Sequence, residues 1–184
     1  DVTITPPTEL SPEMLILASD NGQKVWKWAP ANVYGNAGHS GAGSAFNAPG
    51  VVDGMWWGCE SADALIDQLA HSGGTAYGDE ANGAYMVFGE DGVVTTYKPT
   101  GEAIRGGKFE VKNYDPSRAS GWELGKLTTS EPALLFPWSI NEGGVAVTSY
   151  DIMYFDANNI TLVYTKGGSA GDWGEISHWS FVRK

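Results

Sequence analysis

The residues of this chain best suited to hold a ligand are two indoles in succession, Trp56 and Trp57. They are followed by Tyr77, the adjacent acids Asp79 and Glu80, and Asn82, just ahead of Tyr85-Met86-Val87-Phe88. A flat aromatic face covers the apolar C–H face of a pyranose, and fixed carboxylates accept its hydroxyl hydrogen bonds. Trp138 follows Pro137, and Trp173 sits among Gly171, Asp172 and Gly174. Aromatics beside such turns make binding platforms when a rigid scaffold holds them. The chemistry on offer is recognition of a sugar. Trp56 or Trp57, Trp138 and Trp173 would stack on rings, while Asp79, Glu80 and Asn82 would make the polar contacts, with Tyr77 as a further site residue. The competing reading is structural, because Trp is highly buried on average and the same rings suit a core.

Neighbouring side chains on an extended strand point to opposite faces, so at most one of Trp56 and Trp57 enters a core. For the same reason Asp79 and Glu80 diverge and do not form an acid/base couple with each other. A glycosidase holds two carboxyl groups roughly 5–5.5 Å or 6.5–9.5 Å apart across a bond. Hydrolysis would therefore pair Asp79 or Glu80 with a distant acid such as Asp53, Glu60 or Glu175. The structural alternative is a polar turn in which one acid of the pair bonds backbone N–H groups or an Arg. Asp79, Glu80 and Asn82 also carry oxygens for a structural calcium ion, but the spaced acids of an EF-hand loop are missing, so no metal ligands are singled out, and no cofactor is expected. The stretch Asn36 to Gly43 lacks the Gly-Lys-Ser/Thr ending of a phosphate loop. No Gly-x-Ser-x-Gly elbow presents a nucleophile. Cys59 is the one cysteine; it makes no internal disulfide and reads as buried filler. His178, beside Trp179, reads as structural, and His39 as solvated.

The chain has 184 residues, with 25 Gly, eight Trp and a formal net charge of −11. That length is most simply one domain with a real core. Abundant Gly with many aromatic and β-branched residues points to an all-β protein with many turns. The acidic balance argues against nucleic acid, which needs clustered Lys and Arg, and against docking on anionic lipid. No apolar run approaches the roughly 20 residues that span a bilayer. The opening Asp1 to Thr8, with Pro6 and Pro7, reads as an extended linker. It lacks an initiator Met and a signal peptide, so a processed chain with an anchor or another domain upstream is expected.

Positioning these residues falls mainly to strands. Residues 1–22 read as the linker plus a short helical turn started by Ser11-Pro12-Glu13, and 23–184 as the domain. Val25-Trp26-Lys27-Trp28 alternates as a strand. Residues 30–55 show no period and read as a long loop over a barrel mouth. Ser61 to Ala70 reads as the one good helix, capped by Ser61, with Leu65, Ile66 and Leu69 on one stripe. Strands are then expected at Ala84–Phe88, Val93–Lys98, Ile104–Asn113, Trp122–Thr128, Val147–Phe155, Ile160–Tyr164 and Ile176–Val182, with Pro132–Ile140 ambiguous. Gly89 to Gly92 and Asp156 to Asn159 are the clearest turns. About eight strands joined by short loops close as an antiparallel up-and-down barrel with one short helix covering an end. The alternative is a β-sandwich or jelly roll.

These patterns resemble lipocalin-like domains. The resemblance rests on Val25-Trp26-Lys27-Trp28, the Met86-to-Gly92 hairpin, Gly106-Gly107-Lys108-Phe109-Glu110-Val111, the pair Tyr150-Asp151-Ile152 and Ile160-to-Tyr164, and the aromatic closing strand. It covers roughly residues 24–183. Trp56-Trp57 followed by Tyr77-Gly78-Asp79-Glu80 is similar to lipocalin-like modules of surface lipoproteins in gut Bacteroidetes, which often follow a PKD domain and occur with glycan-utilisation genes. The resemblance implies an exported protein, at the cell surface or in the periplasm and lipid-anchored in its full-length form, with an upstream domain; the acidic balance adds the expectation of no membrane contact by this domain itself. The expected function is non-catalytic glycan binding. The alternatives are a glycoside hydrolase using Asp79 or Glu80, and a structural or protein-interaction barrel plugged by its own aromatics.

Overall fold

Alternation of apolar and polar side chains gives the early strands of this chain one buried face, the later strands are buried on both faces, and the sheet they form closes on itself. A computed structural model of the protein describes residues 9–38, 55–71, 80–118, 123–140, 145–165 and 175–184. After helix α1 (Pro12–Ala18) come β1 (Gln23–Trp28), β2 (Tyr34–Gly38), β3 (Met55–Cys59) and helix α2 (Ala62–His71). The remaining strands are β4 (Tyr85–Gly89), β5 (Val93–Tyr97), β6 (Ala103–Lys112), β7 (Gly125–Thr129), β8 (Trp138–Ser139), β9 (Val145–Ala146), β10 (Ser149–Phe155), β11 (Asn159–Thr165) and β12 (Glu175–Arg183).

Eight of these, β1, β4, β5, β6, β7, β10, β11 and β12, make a closed antiparallel barrel of lipocalin-like form. Closure comes from β12 pairing with β1, Trp28 opposite Phe181 and Trp26 opposite Arg183. A two-sheet sandwich has no such seam. Beyond that seam β12 pairs with β2, Trp179 opposite Tyr34, and β2 in turn carries β3. The stretch expected to be one long loop therefore contains β2 and the start of β3. Its short side chains hide the period, and pairing to β12 supplies the order. Residues 39–54 lie outside the described residues.

Each end of the barrel is closed differently. At the lower end, where β1 begins, α1 buries Leu17 and Ala18 in the core, and Leu17 O accepts the indole N–H of Trp26 at 2.9 Å. Ser11 caps α1 by accepting from the Met14 N–H at 3.4 Å. The helix that covers an end is thus α1. The expected longer helix, α2, packs beside β3 with Ser61 accepting from the Ala64 N–H at 3.2 Å. At the upper end the ambiguous stretch at Pro132 is neither barrel strand nor helix. Ala133, Leu134, Leu135 and Phe136 are buried as a strap across the mouth, with prolines at either side that suit irregular backbone. The short β8–β9 ladder follows it, Trp138 opposite Ala146.

The β2–β3 hairpin presses tightly on β12. A Cβ on Gly35 would sit 2.5 Å from Trp57 O, 2.8 Å from His178 Nε2 and 2.9 Å from Gly58 Cα. Gly35→Ala is expected to cost about 2 kcal/mol by overpacking and to lift the hairpin, measured as a lower urea midpoint and earlier hydrogen exchange in β2.

Candidate functional site

The strap leaves its backbone groups without strand partners, and the barrel supplies them from side chains. Thr96 Oγ1 donates to Ala133 O at 2.6 Å, and Arg105 Nη1 to Leu134 O at 3.1 Å. The Leu135 N–H meets Met86 Sδ at 3.2 Å. The Phe136 N–H donates to Glu80 Oε2, and Phe136 O accepts the Trp179 indole N–H at 2.8 Å. Phe136 itself holds a left-handed backbone, φ 48°, a strained state for a non-glycine residue that persists only where surroundings over-determine it. Tyr34 packs edge-on against Phe136, at 5.3 Å, and its hydroxyl donates to Trp138 O at 3.0 Å.

Glu80 is the centre of this arrangement. It is 1% exposed. Its carboxylate takes Arg105 Nη2 at 2.5 Å on Oε1 and Nη1 at 2.9 Å on Oε2, a bidentate pair with charge-assisted bonds. Its backbone O accepts the Trp28 indole N–H at 2.9 Å. The acid expected to receive sugar hydroxyls thus lies under the strap with both oxygens engaged, because a buried carboxylate must be paired. The Arg-bonded turn weighed as the alternative is the arrangement found for Glu80. Arg105 escaped sequence reasoning; the only signal for it was a lone cation in a strand that is otherwise small or apolar at that level.

The other candidates disperse. Trp138 is half-buried; Arg105 lies over its ring at 4.8 Å and Phe136 meets it at 5.5 Å. Trp57 is half-buried against Tyr34, ring centroids 6.0 Å apart. Trp56 lies on β3. Asn82 is exposed, its amide donating to Asp63 Oδ2 at 2.7 Å and its N–H to Oδ1 at 3.3 Å. Tyr77, Asp79 and Trp173 lie outside the described residues. Among the described residues no three His, Cys, Asp or Glu side chains gather as a metal site.

Asn82 does border a concave surface. A groove of about 790 Å³ runs along the upper end of β1, lined by Lys27, Trp28, Ser61, Asn82, Pro99 and Lys184 among others. That volume falls within the usual range for small-ligand sites. Gly83, φ 96°, lets the chain turn there with Pro99 Cβ only 3.2 Å from where its own Cβ would be. Trp28 is buried in the floor, at 5.1 Å from Phe181. Of these residues sequence reasoning singled out only Asn82 for a site. The alternation of β1 already put Lys27 on the face opposite Trp26 and Trp28.

On the outer side of β12, His178 is fully buried, and neither ring nitrogen has a partner among the described residues. Burial lowers its pKa from 6.5 to about 4. Cys59 is buried too, and burial pushes its thiol up to about 11, which leaves it protonated and unreactive near neutrality.

No protein-family model matches the chain, and no curated protein matches it in sequence.

Two outcomes follow from this geometry. Glu80→Gln strands the Arg105 charge and is expected to cost about 3 kcal/mol, whereas adding Arg105→Met restores at least about 1 kcal/mol; denaturant titrations of the single and double variants check this. His178 binds a proton more readily unfolded than folded. Its contribution is full above pH 6.5 and is lost as pH falls toward 4. Unfolding free energy should drop by about 3 kcal/mol across that window, and His178→Gln should flatten that slope in urea titrations run at stepped pH.

Proposed function

We propose that this chain is a non-catalytic carbohydrate-recognition module that binds its ligand on the outside of the barrel. The observation that carries the reading is the position of the groove. The lumen is filled by Trp26, Trp179, Tyr150, Phe88 and the Ala133–Phe136 strap, while the groove beside β1 offers polar groups suited to sugar hydroxyls. Asn82 keeps its side-chain oxygen as an acceptor after its amide has bonded Asp63. The Ser61 hydroxyl still has its hydrogen to donate after accepting from the Ala64 N–H. Pro99 and Ala84 give apolar walls for C–H faces.

Hydrolysis finds less support. Glu80 is buried beneath the strap, and Arg105 and the strap N–H engage both of its oxygens. A second reading, a structural or protein-partner module, is favoured by the plugged mouth, because a barrel sealed at both ends needs no ligand for its core. The resemblance to lipocalin-like modules adds the setting. In that setting the domain is part of an exported surface lipoprotein in a glycan-utilising cell and follows another domain. Among the described residues no helix is long and apolar enough to cross a membrane.

The test is a broad glycan array followed by calorimetry. At least one glycan is expected to bind with Kd below about 1 mM, and Asn82→Ala should weaken it several-fold without moving the melting temperature. Absence of binding across the array would overturn the reading in favour of the protein-partner module.

A further inference from the structure

The groove has a charge opposite to that of its protein. The chain carries 22 acidic and 11 basic residues, yet the groove is lined by Lys27, Arg183 and Lys184 and by no Asp or Glu. Arg183 is matched by Asp20, which accepts from its Nη2. Lys27 and Lys184 have no carboxylate partner among the described residues. Lys184 is nonetheless held in place: its ammonium lies 4.1 Å from the centroid of the Tyr85 ring, and its backbone N–H bonds Val25 O at 2.9 Å.

Strand register explains why the cations converge. On the outer face Val182, Lys27, Tyr85 and Tyr97 stand in one row across β12, β1, β4 and β5. Lys184 lies one step lower, beside Val25. Tyr97 stacks on Tyr85 at 5.1 Å and 14°, so the ring under Lys184 is itself braced. Lys27 and Lys184 therefore both border the groove, with the Asn82 and Ser61 acceptor and donor beside them, Lys184 standing between it and an adjoining hollow lined by Tyr85 and Tyr97. Bare ammonium groups in a field of negative charge attract an anion that the rest of the surface repels.

We propose that the groove binds a saccharide bearing carboxylate groups, with Lys27 and Lys184 receiving the carboxylates and Asn82 and Ser61 the hydroxyls. The proposal rests on the carbohydrate reading above and narrows it to acidic sugars. Lys184, held over Tyr85 at the border of the groove, and Lys27, exposed on β1, supply the two charges.

The experiment titrates the intact protein with a panel of uronate oligosaccharides, each paired with its carboxyl-reduced, neutral counterpart. The acidic member of at least one pair is expected to bind about tenfold tighter at low salt, an advantage that shrinks as salt rises. The variant Lys27→Gln/Lys184→Gln should lose that advantage and keep the wild-type melting temperature and affinity for the neutral member. Equal binding of acidic and neutral members overturns the anion preference and leaves the carbohydrate reading standing. Acidic preference that survives the double substitution overturns the groove as its seat. Failure of every member, charged or neutral, overturns both.

Discussion

A carboxylate and a guanidinium enclosed together are the constraint around which the upper half of this barrel is arranged. Taking Glu80 and Arg105 out of water is costly, and their mutual attraction offsets that cost only with good geometry and with the remaining lone pairs and protons satisfied. The barrel meets those terms by drawing in a third party. In the strap the Phe136 N–H donates to Glu80, and Leu134 O accepts a hydrogen bond from Arg105. The ion pair thus fixes the strap, and the strap completes the ion pair. Phe136 keeps its unfavourable backbone angle because its N–H and C=O are held from opposite sides, by Glu80 and by Trp179.

That arrangement decides which surfaces remain for recognition. The aromatic side chains inside the cylinder are spent on each other. Tyr34, Phe136, Tyr150 and Trp179 contact one another near 5.2–5.3 Å, mostly edge to face, the geometry ring quadrupoles favour. Three indole N–H groups that an apolar core alone would leave unsatisfied, those of Trp26, Trp28 and Trp179, all donate to backbone carbonyls. What faces solvent is therefore the part of the outer wall where the row of Lys27, Tyr85 and Tyr97 stands.

The sequence made the barrel legible and left the site largely hidden. Val25-Trp26-Lys27-Trp28, Tyr85–Phe88 and Val93–Tyr97 alternate cleanly, and the Gly89–Gly92 and Asp156–Asn159 turns mark where strands reverse, so the barrel strands were readable from period and turn chemistry, while the choice of a barrel over a sandwich was decided by the β12–β1 pairing. Ser11 and Ser61 marked both helix starts. Three features were not readable. The strand around Gly35 has no period, because its conformation is imposed by β12 and β3. The Leu134–Phe136 run is apolar like a strand, but side-chain partners far away in sequence set its course. And the Asp79-Glu80 pair looked like surface chemistry, because nothing local told that a guanidinium 25 positions on would cover Glu80. Burial of charge is a property of the partner, and partners are nonlocal.

One feature of the topology bears on how the chain reaches this state. β12 is flanked along one edge by β11 and along the other by β1 and then β2. The adjacent hairpins form from near neighbours, but β1 must wait for a strand about 150 residues further along, a slow, high-separation contact. As the polypeptide leaves the ribosome, β1 can pair with β4 and β2 with β3, but the other edge of each remains open until β12 emerges. During synthesis this is an open-sided sheet with exposed edges, vulnerable to sticking to other nascent chains. The last strand to arrive is the clasp that shuts it.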